Sequence, residues 1–221
     1  MSMLYVDQVA SYFRTLCDED DETWQNAAAV QAALELGEDE YRGIVTLNHP
    51  MLMEAEQELT VAGRNYNLAT GAIKLLGATA SPRMSALLKV ARISSASQYP
   101  PDFYFKPGKS LDHIHQVTEH YLLKGQSLWF GEDMTGLIRV HFVPVSTVDW
   151  SKQTSGNNEY IDDLVEYHDL IALLAHKQYS LRDEAVNTEL DLLLQRRRTA
   201  FEAHLFMRCQ EAALHMGVET W

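Results

Sequence analysis

The chain has 221 residues, with 46% hydrophobic and 22% charged residues, enough apolar material for a packed core and too much for wholesale disorder. Thirty-one acids against 18 bases give a net charge of -13, which repels nucleic-acid phosphates over most of the surface and speaks against sequence-specific DNA binding. Two cysteines, Cys17 and Cys209, are too few for a disulfide framework, and no run approaches the ~18 apolar residues of a membrane helix.

The N-terminus lacks the basic start and long apolar core of a signal peptide, so synthesis in the cytoplasm is expected. Tyr5, Val9, Tyr12, Phe13 and Leu16 fall at spacings of three and four, predicting an amphipathic helix with Ser2 as a cap. Five adjacent carboxylates, Asp18 to Glu22, then favour a solvated loop. Thr23 caps a second predicted helix that Gly37 ends, and a third runs from Glu38 to Leu47 before Pro50.

The middle of the chain turns to strands. Residues 54–68 alternate in part, with Gly63-Arg64-Asn65 as a turn between two strands. Residues 69–85 read as a loop, and 85–94 as strand or short helix. Three prolines in YPPDFYFKPGKS exclude a regular element. The segments SLWF and LIRVHFVPV, joined by GEDMTG, predict a β-hairpin; in its second strand Ile138, Val140 and Phe142 alternate with Arg139, His141 and Val143. After a polar linker at 151–158, helical spacing returns from Tyr160. A last helix from about Leu181 to Ala213 carries the adjacent trio Arg196, Arg197 and Arg198. At ~1.5 Å per residue it is roughly 45 Å long, more than a small domain covers.

The fold class expected from this order is α+β and mainly α. It is a helical bundle made from the N- and C-terminal segments, with a central β-rich insertion. The divisions fall at residues 1–50, 51–150 and 151–221.

No P-loop, G-x-G-x-x-G or G-x-S-x-G motif is present. His113, His115 and His120, with Glu119 among them, are the densest metal-type cluster. Their spacing matches no zinc motif, and surface or core histidines are the better account of them. Cys17 or Cys209 with a histidine base would make a nucleophile, but the sequence specifies no such partner. Glu54, Glu56 and Glu58 share one strand face and would suit paired-carboxylate hydrolysis; with 31 acids, a solvated edge is the better account. The arginine trio is either a solvated face with partners such as Glu202 or a docking contact. No catalytic residue, metal ligand or cofactor is assigned.

The order of these signals resembles the head–tail adaptors found in the necks of tailed bacteriophages. The matching segments are LCDEDDETW, AAAVQAAL, VTLNHP, GRNYNL, YPPDFYF, the strand ending FVPV, EYIDDLVEYHDLIALLA and ELDLLLQRRRTAFEAHLFMR. They span nearly the whole chain, though each is short. Residues 69–85 and 106–124 depart from the pattern. The resemblance implies a non-enzymatic structural protein of the virion neck. It implies a homo-oligomeric ring, commonly of twelve copies, between the portal and a tail or nozzle protein. Double-stranded DNA would pass through the shared channel without specific binding, and no membrane is involved. The docking residues expected on this basis are Arg196, Arg197, Arg198, Phe201, Leu205, Phe206 and Trp221. The rival readings are a peptidoglycan hydrolase using paired carboxylates and a cellular helical protein-binding module.

Overall fold

The computed structural model describes residues 3–17, 27–68, 74–75, 83–116, 119–154, 156, 159–180 and 188–218; the side chains at 74–75, 115–116, 132–133 and 209–218 are outside that description. The chain divides into two compact units, one of Met1–His49 with Ser146–Trp221 and one of Pro50–Val145. The expectation of a mainly α bundle is corrected. The described residues are 46% helical and 31% strand, and seven strands form a mixed sheet curled into a nearly closed barrel. The β content was underestimated because two strands are far longer than the breaks in their sequence suggest.

The helical unit contains α1 (Val6–Leu16), α2 (Ala27–Asn48), α4 (Asp169–Ser180) and α5 (Thr188–Val218). The cap position of α1 is Tyr5, and the Gln8 side chain accepts from the Leu4 and Tyr5 amides; Ser2, the cap expected from sequence, lies outside the described residues. Helix α4 is the hub. Every residue from Asp169 to Ala175 is buried, as expected of a helix apolar on all sides. Around it lie Val9 and Phe13 of α1, Leu34, Tyr41 and Val45 of α2, and Phe201 and Leu205 of α5.

Gly37 does not end a helix. α2 runs through it as one 22-residue helix. A Cβ there would lie 2.5 Å from the Ile171 carbonyl oxygen and 2.8 Å from the Ala175 nitrogen, so the glycine permits the close approach of α2 to α4. The helical pattern from Tyr160 begins later than its spacing suggests, at Asp169. The stretch before it is irregular and forms a bridge between Tyr5 and Tyr160.

The barrel unit contains β1 (Ala55–Asn67), β2 (Lys74–Leu75), β3 (Arg83–Ile93), β4 (Phe103–Tyr104), β5 (Lys106–Pro107), helix α3 (Leu111–Gln116), β6 (His120–Lys124) and β7 (Ser127–Pro144). β7 is central, pairing antiparallel with β1 along one side and with β6 and then β3 along the other. The expected hairpin of SLWF and LIRVHFVPV is one continuous 18-residue strand. Gly136, at φ +142°, sits within it opposite Val61 rather than in a turn. Gly63 is also internal, at φ +108° beside a register shift between Gly63 and Asn65, so the predicted turn is a bulge. The proline-rich segment supplies the two short strands that bring the barrel close to closure, β4 against β3 and β5 against β6. Ile138, Val140 and Phe142 of β7 fill the interior with Leu59, Val61, Val90, Phe105 and Phe130.

Candidate functional site

Two features rise above packing, one in each unit. The first is α5. Its inner face is buried at Leu194, Phe201 and Leu205. Phe201 stacks on Tyr41 with ring centroids 5.2 Å apart and lies 4.8 Å from Tyr167. The three arginines diverge, as adjacent helical positions must. Arg197 turns inward and donates to the Asp169 carboxylate at 2.6 Å and to the Glu166 carbonyl at 2.7 Å. The Asp169 hydrogen bond raises the Arg197 pKa further. Arg198 donates to Glu202 at 3.0 Å and lies 3.5 Å from Glu40. Arg196 is exposed.

At 100° per residue, Leu192, Arg196, Thr199, Ala203, Phe206 and Met207 fall on the face opposite Phe201. All six are exposed, Phe206 at 61% and Met207 at 57%. α5 therefore presents apolar residues on both faces, one packed and one open. Of the expected docking residues, Arg196 and Phe206 are on the open face, while Phe201 and Leu205 are core. Arg197 and Arg198 pair within the unit, and Trp221 lies outside the described residues. Leu192 and Met207 join them; Leu192 lies four residues before Arg196 and Met207 four after Ala203, so helical spacing along the open face could have found them.

The second feature is the outer face of β1 and β7. Antiparallel register sets Glu56 opposite His141 and Glu58 opposite Arg139, with Glu54 two residues along on the same face. Arg139 donates to Glu58 at 2.8 Å, and its Nε lies 3.6 Å from Glu56. That hydrogen bond holds the Glu58 carboxyl below the usual carboxylate range, helped by the Ser97 amide. The Tyr99 ring covers the guanidinium at 3.9 Å, and its hydroxyl donates to Glu56. His141 Nδ1 lies 2.5 Å from a Glu54 oxygen and 3.4 Å from a Glu56 oxygen. Glu54, Glu56 and His141 each place a ligand-type atom within 4.8 Å of the others. A groove of about 380 Å3 opens nearby, lined by Leu88, Lys89, Tyr104, Phe105, Pro107 and Tyr121.

The shared face of Glu54, Glu56 and Glu58 was legible from their spacing, but each is engaged by a basic or hydroxyl partner. A carboxyl held ionised by Arg139 is the opposite of a poised general acid. His113 and His115 do not share a strand face, because Leu111–Gln116 is the helix α3. His113 instead meets His120 of β6, with ring centroids 5.0 Å apart and both Nδ1 atoms buried without a partner among the described residues. Glu119 is exposed. Cys17 is half-buried beyond the end of α1 and is not in a disulfide; the side chain of Cys209 lies outside the description.

No helix among the described residues is long and apolar enough to cross a membrane. Comparison with protein-family models and with curated proteins yields no match to the chain.

Proposed function

We propose that the protein is a non-enzymatic structural adaptor of a tailed-phage neck, a ring subunit that docks beneath a portal through the open face of α5. The observation that carries the reading is that face. Leu192, Phe206 and Met207 lie along the same face as Arg196 on a 31-residue helix already anchored by Phe201 and Leu205 on its other side. Large exposed apolar side chains rimmed by charge are the usual composition of a protein contact. Arg196 suits an acidic portal rim, and the net charge of -13 suits a channel that DNA slides through without adhering. The order of segments that resembles the adaptors runs through both units. A twelve-copy ring would use heterologous contacts between neighbours.

Light scattering of the purified protein, alone and mixed with portal rings from the same source, tests the proposal. The expected result is recruitment of about a dozen copies into one complex. A protein that ignores portal rings overturns it.

A further inference from the structure

We propose that Glu54, Glu56 and His141 form a binding site for a first-row divalent cation of the Zn2+ type on the outer face of the barrel. This inference stands independently of the neck-adaptor reading.

Four observations converge. The first is donor geometry. One imidazole nitrogen, His141 Nδ1, faces two carboxylate oxygens, at 2.5 Å and 3.4 Å. A single N–H donates well to only one of them; a cation would take all three atoms as ligands once the 2.5 Å contact opens to the roughly 3 Å that ligands of one metal ion keep. The second is charge. Three carboxylates, Glu54, Glu56 and Glu58, share one guanidinium, Arg139, which donates to Glu58 at 2.8 Å and stands 3.6 Å from Glu56, so the cluster carries more negative than positive charge. The Glu54 side chain is only 11% exposed, and a carboxylate so enclosed is costly without a compensating cation.

The third is support from behind the ligands. Glu56 Oε2 is held by the Tyr99 hydroxyl and lies beside Arg139 Nε, which turns Oε1 toward His141. Outer hydrogen bonds that fix a carboxylate's free oxygen are a regular feature of metal sites. The fourth is His141 itself. It is 5% exposed, and its Nε2 has no partner among the described residues, so the hydrogen bonds recorded for this buried ring lie wholly on the carboxylate side.

The chemistry of the set selects the ion. One imidazole nitrogen with two carboxylates favours Zn2+ and its neighbours over Mg2+ or Ca2+, which prefer oxygen alone. The Glu56 side chain is 41% exposed, so the fourth position opens to water on that side. β1 and β7 pair Glu56 with His141, and Glu54 immediately precedes β1, so the backbone positions of all three residues are set by the sheet.

The test uses the full chain, stripped with EDTA, dialysed and titrated calorimetrically with ZnCl2 alone. The wild type is expected to take up Zn2+ at this site and to melt at a higher temperature with the ion than without it. Glu54→Gln and Glu56→Gln should each weaken that binding by about tenfold or more. Glu56 is on the open rim, so its variant keeps the test valid even if Glu54→Gln fails to fold. The double variant His113→Gln/His120→Gln should retain the high-affinity event, which separates this site from the other histidine pair. Absence of Zn2+ uptake by the wild type overturns the proposal. So does wild-type affinity in folded Glu56→Gln, or loss of the binding event in the His113/His120 double variant.

Discussion

The two units place their polar groups differently. In the helical unit, polar side chains join segments far apart in sequence. Trp150 Nε1 donates to Glu38 at 2.6 Å, Arg14 donates to Gln153 at 3.0 Å, and His168 sits between the Met3 carbonyl at 2.5 Å and Asp162 at 2.6 Å. This unit is assembled from both ends of the chain, and its helices make no ladder with one another, so side chains must fix how the ends meet. In the barrel, the backbone ladders of β1, β3 and β7 already fix the register. Glu54 and Glu56 on its outer face are therefore not needed to set the register and are available for binding. Polar deletions should accordingly damage stability in the helical unit and ligand affinity in the barrel.

The largest effect expected is on the core that anchors α5. Phe201→Ala removes a fully buried ring stacked between Tyr41 and Tyr167, and should cost about 3–5 kcal/mol in chemical denaturation. Gly37→Ala forces a methyl group against the α4 backbone and should cost about 1–3 kcal/mol, although alanine is the better helix former. Glu38→Ala strands the Trp150 N–H in the interior and should cost a similar ~1–3 kcal/mol. Glu56→Gln, on the barrel's outer face, should change stability by only about 0.5 kcal/mol. A Glu56 effect as large as that of Glu38 would break the contrast.

Acid should act on the two units with opposite sign. Burial raises the Glu38 pKa above 4.5, against the hydrogen bonds from Ser146 and Trp150. The folded state then binds the proton more tightly than the unfolded state, so this group's contribution improves as pH falls through the raised value toward 4.5. Glu58 is depressed below 4.5 by its hydrogen bond from Arg139. Its contribution is present above pH 4.5 and is lost as pH falls through the folded value. Stability–pH profiles of Glu38→Gln and Glu58→Gln, each subtracted from the wild type, should slope in opposite directions in these two windows. Parallel slopes would contradict the assignment.

Local periodicity made parts of the molecule readable. The three- and four-residue spacing of Val9, Phe13, Phe201 and Leu205 placed α1 and most of α5. Alternation placed Glu54, Glu56 and Glu58 on one face, and Arg139 and His141 away from Ile138, Val140 and Phe142. That these two faces are the same face was not readable, because strand pairing across some eighty residues is tertiary. The glycines misled for a related reason. Gly37, Gly63 and Gly136 look like breaks, yet each lies inside a continuous element where a close approach or a positive φ calls for glycine. The distinction depends on the neighbouring element, not on the flanking residues. The open face of α5 was legible only in part, because α5 carries apolar residues on both faces and which of them is packed depends on the elements it meets.

The central claim is that α5 is anchored by one face and docks by the other. The double variant Phe206→Ser/Met207→Ser tests it most directly, because both side chains are exposed and their loss should leave stability within about 0.5 kcal/mol of wild type. Light scattering of this variant mixed with portal rings should show a folded protein that no longer joins them, while the wild type does. A variant recruited as fully as wild type would contradict the account.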